Sequence, residues 1–131
     1  MSTHLAVFSS PKTVEQVLGG KKTIEIRFSQ TRQEPYQSVA RGDIVLLKGS
    51  HGLITGQVEV DYVLFFSNLD AGKIARLRQE YGREANQPDK YWQSKARSKY
   101  ATVIFLRRPD RFITPLKNLK RDQRPWARIT G

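Results

Sequence analysis

Three charged side chains of different chemistry stand close together: Lys22, Glu25 and Arg27, within Gly20-Lys21-Lys22-Thr23-Ile24-Glu25-Ile26-Arg27. An ammonium binds phosphate, or acts as a base where burial or a second cation such as Lys21 lowers its pKa. A carboxylate accepts the exocyclic amine of cytosine or adenine. A guanidinium offers a rigid fork of donors. From Lys22 to Phe28, Ile24, Ile26 and Phe28 alternate with Thr23, Glu25 and Arg27, which is the pattern of a half-buried strand. Such a strand puts Glu25 and Arg27 on one face, about 6.5–7 Å apart along it. There they support each other or hold a ligand between them. Lys22 falls on the opposite, apolar face, and at the strand's start its ammonium is expected to reach water at the mouth of the fold. The same spacing fits a solvated ion pair beside a snorkelling lysine, which contributes little to stability.

Other site chemistries find no support. There is no cysteine, so disulfides, thiolate metal sites and thiol catalysis are excluded. His4 and His51 lie far apart, without partners at metal-ligand spacing, and no metal or other cofactor is expected. There is no glycine-rich phosphate loop and no serine elbow; Gly49-Ser50-His51-Gly52 reads as a hairpin turn. Of the thirteen aromatic residues, most belong to the core. Tyr36, Tyr91, Trp92 and Trp126 stand among polar or basic residues, where a ring stacks on an unpaired base, and Trp92 and Tyr36 are the preferred two.

The elements that carry these residues read as one domain over residues 1–131, a usual domain size. Leu5 to Phe8 is a short buried strand. Ser10 caps a helix with Pro11 in its first turn and Val14, Val17 and Leu18 as its apolar stripe, stopped by Gly19-Gly20. Ile44 to Leu47 is a central strand after the Gly42-Asp43 turn. Ile54 to Phe66 is a long strand bent at Gly56, with its even positions on one face. Asp70 opens a helix stopped by Gly82, and a short helix follows near Asp89 to Lys95. Tyr100 to Leu106 is a strongly apolar strand, and Phe112 to Leu116 pairs with it or with its neighbour. Ile24, Ile26, Val45, Leu47, Val58, Val60, Ile104 and Leu106 are expected in one core. Strands on either side of a helical insertion give an α+β class: a mixed, mostly antiparallel β-barrel with flanking short helices.

Charge points to the partner. Lys plus Arg is 23 against 12 for Asp plus Glu, a net charge of +11. From Lys95 to the end, eleven basic residues face only Asp110 and Asp122. Such a surface attracts polyanions by releasing their counterions, and a free nucleoside has no phosphates to meet it. The expected partner is therefore a nucleic acid, with the basic residues after Lys95 forming one face that reaches the cleft beside Lys22. The first residues lack the basic and apolar stretches of a signal peptide, and no run is long enough to span a bilayer. A cytoplasmic protein with no membrane partner is expected; the oligomeric state is left open.

The eight-residue segment fits G-x-K-x-x-E-x-R, and the chain resembles the ASCH family, whose members carry this motif after a first helix ending in leucine-glycine. Further family-like features are the Leu5 to Phe8 strand, Gly42-Asp43 with Lys48 after it, and Trp92 followed by Ser98-Lys99-Tyr100-Ala101-Thr102. The resemblance implies a PUA-like barrel that reads RNA or a modified base in a cleft beside the first helix. It implies a binding surface of Lys22, Thr23, Glu25, Arg27, Tyr36, Lys48, Trp92, Lys95, Arg97 and Tyr100. It also implies two enzymatic alternatives. A metal-independent ribonuclease would use Lys22 and Ser98. An amidohydrolase of the kind acting on N4-acetylcytidine would use Lys22 with a threonine and a glutamate. The threonine position of that branch falls on Glu25 here, and its glutamate is matched only loosely by Glu80. The candidate catalytic set is thus Lys22, Glu25 and Ser98.

Overall fold

The computed structural model describes residues 1–117 and 124–130. β1 (Thr3–Phe8) leads into α1 (Pro11–Leu18), then β2 (Ile24–Ser29), β3 (Ile44–Gly49) and β4 (Ile54–Phe66). α2 (Ala71–Ala85) and α3 (Asp89–Ser94) follow, and β5 (Tyr100–Leu116) and β6 (Trp126–Thr130) complete the order. The six strands form one sheet in the order β2-β5-β4-β3-β1-β6. β1 and β3 run parallel; the other neighbours are antiparallel. The sheet curls into a half-barrel, so the mixed, mostly antiparallel α+β class expected from the sequence holds.

α1 forms because Ser10 accepts the Lys12 N–H and Pro11 sits in the first helical position. Its Val14 and Val17 plug the barrel against β3, and its last residue, Leu18, packs over β4 at Gly56. A β-carbon on Gly56 would stand 2.6 Å from the Asp110 carbonyl oxygen and 2.7 Å from Leu18 Cδ2. Only glycine fits there, and the β4–β5 register shifts beside it.

The expected core divides in two. Val45, Leu47, Val58, Val60 and Ile104 fill the barrel with Ala6, Phe8 and Trp126. Ile24 and Ile26 face the other side of the sheet, where Ile74 and Leu77 of α2 and Trp92 of α3 cover them. The two-residue period of a strand sends neighbours to opposite faces. The alternation gave one apolar face for each strand, but not that β2 turns its isoleucines to the opposite side of the sheet from the barrel core.

Four further expectations are corrected. α2 runs through Gly82 to Ala85 and ends at Asn86, which adopts the left-handed conformation that asparagine tolerates. β5 is one strand of 17 residues, paired with β4 as far as Leu116, and Arg108 at φ 52° absorbs the irregularity before Pro109. Alternation along β4 holds to Val60; a register shift then turns Tyr62 out to solvent. The last described segment is a strand, β6, antiparallel to β1, rather than a basic tail alone. Trp126 anchors it: the indole Nε1–H donates to His4 Nδ1, so His4 Nε2 carries its hydrogen toward Asp43 Oδ2 at 2.8 Å.

Candidate functional site

β2 begins at Ile24, not Lys22, and that difference of two residues inverts the position of the lysine. The backbone of Lys21 and Lys22 is turned back on α1 by bonds to the Gln16 carbonyl, and Thr23 N–H donates to Glu84 O. Lys22 therefore enters the protein and is 1% exposed. Its ammonium donates to the Ala85 carbonyl at the end of α2 and lies 3.1 Å from Glu25 Oε1. The expected snorkelling lysine is instead a buried cation beneath the sheet.

Glu25 is also buried, and Arg27 Nε donates to its Oε2 at 2.7 Å. The two share a face of β2, as the alternation required. Burial alone would raise the Glu25 pKa; the Lys22 and Arg27 charges and the Arg27 bond outweigh it and hold the carboxyl below its usual range. Arg27 has a second task. Its Nη1 donates to Pro125 O at 3.1 Å and its Nη2 to Val7 O at 3.2 Å, and its guanidinium lies over the rings of Phe8 and Trp126. The arginine thus ties β2, one edge of the sheet, to β1 and the segment leading into β6 at the other.

Above this pair lies a cavity of about 360 Å³, in the range of small-molecule sites. Glu25, Arg27, Tyr91, Lys95 and Thr102 contribute to its wall. Ser9, Gln33 and Gln87 add neutral polar groups. Glu25 Oε1 has no hydrogen-bond partner, since its contact with Lys22 is an ion pair without hydrogen-bonding geometry. The Tyr91 hydroxyl donates to Ile26 O at 2.7 Å, and burial, then the Glu25 charge, pushes its pKa well up, so it stays a neutral donor. Lys95 Nζ stands 5.1 Å from the Tyr91 ring centroid. The arrangement offers an anionic acceptor beside a guanidinium with unused donors, against an aromatic wall. That suits a flat, neutral molecule with an amine next to a ring acceptor.

The other candidate residues separate. Trp92 is core, edge-on to Phe28 and Tyr91, and presents no face to a ligand. Thr23 is exposed and Lys48 half-buried on β3; neither lines the cavity. Tyr36 and Tyr100 meet at 4.9 Å between centroids, and Arg97 is exposed. Ser98 is buried beside the Ser29 end of β2, where Lys99 N–H donates to Ser29 O, while Lys22 precedes the Ile24 end. The six residues of β2 span about 17 Å, so the Lys22–Ser98 pair required by a ribonuclease is not assembled. Thr102, quoted only as part of a family-like run, and Ser9 were not candidate site residues but line the cavity, and Tyr91 was passed over for Trp92. Adjacent helical residues point about 100° apart, and nothing in Tyr91-Trp92 told which ring faced the cleft.

The expected basic face is divided. Lys95 and Arg124 line the cavity, and Arg97 and Lys99 are exposed on the turn before β5. Arg107 and Arg108 instead pair with Glu59, Arg107 also with Asp61, and Arg111 binds Glu15 through both terminal nitrogens. Lys120 and Arg121 lie outside the described residues. Among the described residues no group of His, Cys, Asp and Glu could hold a metal ion, and no helix is long and apolar enough to cross a membrane.

The buried carboxylates set an acid limit. Asp43 is opposed by burial and lowered by bonds from His4, Ser2 N–H and Ala40 N–H. Glu25 and Asp43 therefore bind protons more weakly in the folded than in the unfolded chain. Their contribution to stability is complete above the unfolded values, about pH 4–4.5, and is lost as pH falls through the lower folded ones. Urea midpoints are expected to be level from pH 6 to 5 and to drop steadily below pH 4. A midpoint unchanged down to pH 3 would contradict these pairings.

Comparison with known proteins agrees with this architecture. The ASCH domain family model matches residues 10–105. The ASCH protein of Zymomonas mobilis has a similar crystal structure: TM-score 0.74 at 18% identity, covering 98% of this chain and 87% of that one. A point variant of it gives 0.75, also at 18%, covering 98% and 91%. A protein from Enterococcus faecalis V583 gives 0.63 at 9% identity, covering 87% and 84%. No curated protein sequence matches the chain.

Proposed function

This chain belongs to the ASCH domain family, and we propose that it is an RNA-binding module that takes one unpaired, amine-bearing base into the cavity above Glu25 and Arg27. The observation that carries the reading is the ionised Glu25 carboxylate at the cavity wall, side by side with the Arg27 guanidinium that donates to it. A carboxylate beside such a donor fork accepts an exocyclic amine, as it does when it reads cytosine. Cytosine fits the order of groups: its 4-amine donates to Glu25, and its N3 and O2 accept from the free donors of Arg27. Uracil offers a carbonyl where the amine should be and would meet the carboxylate with repulsion. Lys95 on the cavity wall, with Arg97 and Lys99 exposed a few residues on, supports contact with the backbone of a bound strand.

Binding fits better than hydrolysis. The ribonuclease pair is not assembled, and Lys22 spends its charge on Glu25 and Ala85 rather than in the cavity. Titration with cytidine and uridine, followed by amide chemical shifts, is expected to show cytidine perturbing residues around Glu25 and Thr102 and uridine failing to do so. With an oligocytidine contacting about four phosphates, log affinity is expected to fall against log salt with a slope of roughly −3. Absence of RNA binding at low salt, or equal response to both nucleosides, would refute the reading.

A further inference from the structure

The cavity does not stop at Thr102. Residues of β2 and β5 that pair across the sheet face the same way, and Glu25–Ile104, Arg27–Thr102 and Ser29–Tyr100 form successive rungs. Glu25, Arg27, Thr102 and Ser29 line the cavity, so the next residue on that face, Tyr100, stands at its mouth. There it meets Tyr36 at 4.9 Å, and Tyr36 meets Phe65 at 5.7 Å, both pairs edge-to-face. Phe65 is 36% exposed near the end of β4, a strand whose apolar residues up to Val60 are buried. Arg32 holds its guanidinium 5.7 Å from the Tyr100 centroid. The loop between Arg32 and Tyr36 is cavity wall, contributed by Gln33, Glu34 and Pro35.

We propose that Tyr100, Tyr36, Phe65 and Arg32 form a second base subsite, which stacks the nucleotide adjoining the one held in the cavity of a single-stranded RNA. The inference rests on the reading above and specifies it: the ligand is a strand of at least two nucleotides, not a nucleoside. The chemistry of the surroundings selects this occupant. Arg32 is exposed beside the Tyr100 ring, Arg97 and Lys99 are exposed in the residues just before Tyr100, and Lys95 lines the cavity. Half-exposed rings with a guanidinium beside them suit a π-face tied to a phosphate, and base–aromatic stacking tolerates any base. A planar ring sandwiched between Tyr100 and Arg32 needs about 7 Å, two contacts of ordinary carbon separation. The exposed arginine has to move outward only by about 1–2 Å from its present 5.7 Å.

The test compares cytidine with tetracytidine against wild type, Tyr100→Leu and Arg32→Ala, with circular dichroism confirming the fold. Tyr100→Leu keeps apolar bulk, and Arg32 lies on the surface. In wild type the tetramer is expected to bind at least about tenfold tighter than cytidine at 0.5 M salt, where stacking outlasts charge. Both variants are expected to lose most of that gain and to hold cytidine as wild type does. A tetramer no tighter than cytidine in wild type, or variants that keep the gain, would overturn the subsite. So would an equal loss of cytidine, which would make the rings part of the cavity itself. If cytidine fails to bind but the tetramer does, the base-in-cavity reading fails alone; the subsite then stands if Tyr100→Leu weakens the tetramer and falls if it does not.

Discussion

Replacing Lys22 by alanine is expected to cost the fold about 3–5 kcal/mol, the usual effect of removing one partner from a buried ion pair. Two groups lose their cation at once. Glu25 Oε1, which has no hydrogen bond, keeps only Arg27 to balance its charge, and the Ala85 carbonyl at the end of α2 loses its donor. For a domain whose total stability is about 5–15 kcal/mol, this is a large share, and a marked fall in the urea midpoint is the result to look for. Lys22→Met separates the causes. It restores the volume and not the charge, so it should recover the packing part of the loss and leave the electrostatic part. The outcome has a functional consequence. A lysine acting as an acid–base group would lose turnover on substitution while stability held; a lysine that neutralises Glu25 loses stability first. An alanine variant as stable as wild type would remove the buried position of Lys22 and the balance of charges built on it.

The strands that frame the site were legible because their residues alternate. Ile24 to Phe28 and Ile54 to Val60 each gave the face that the structure shows, and the Glu25–Arg27 pairing followed from period two alone. The helix starts were legible for a similar reason, since Ser10 and Asp70 cap through bonds to N–H groups two or three residues on. What escaped depends on distant contacts. Lys22 looked like a strand residue because Lys22 to Phe28 alternates throughout; its inward turn comes from the Gln16 carbonyl and from Glu84 and Ala85, which no local pattern announces. Gly82 looked like a helix stop, but α2 runs on to Ala85 and Asn86 takes the left-handed turn. β6 was read as a tail because its five residues have little apolar pattern. It is a strand because Trp126 finds His4 across 122 residues. The charge count also misled in part: Arg107, Arg108 and Arg111 balance Glu59, Asp61 and Glu15, so a smaller group of cations borders the cavity.

Arg27 joins the fold to its ligand, and two substitutions should separate these roles. Arg27→Ala removes a charge beside buried Glu25 together with both contacts across the sheet edges, to Val7 O and Pro125 O. The expected cost is again about 3–5 kcal/mol, read as a fall in the urea midpoint. Arg27→Lys keeps the positive charge near Glu25 but has a single ammonium in place of a planar fork. It cannot hold Glu25, two carbonyls and a base edge together. Its stability loss is expected to be smaller than alanine's, about 1.5–3 kcal/mol for the charge-assisted bonds to carbonyls given up. Its affinity for cytidine should fall about tenfold or more, since one well-aligned pair of donors to a base is worth about 1–3 kcal/mol. Loss of binding with a nearly intact fold would mark Arg27 as a residue that touches the base. A lysine variant that binds cytidine as wild type does would confine Arg27 to closing the half-barrel, and the base would have to find its acceptors' partners elsewhere on the cavity wall.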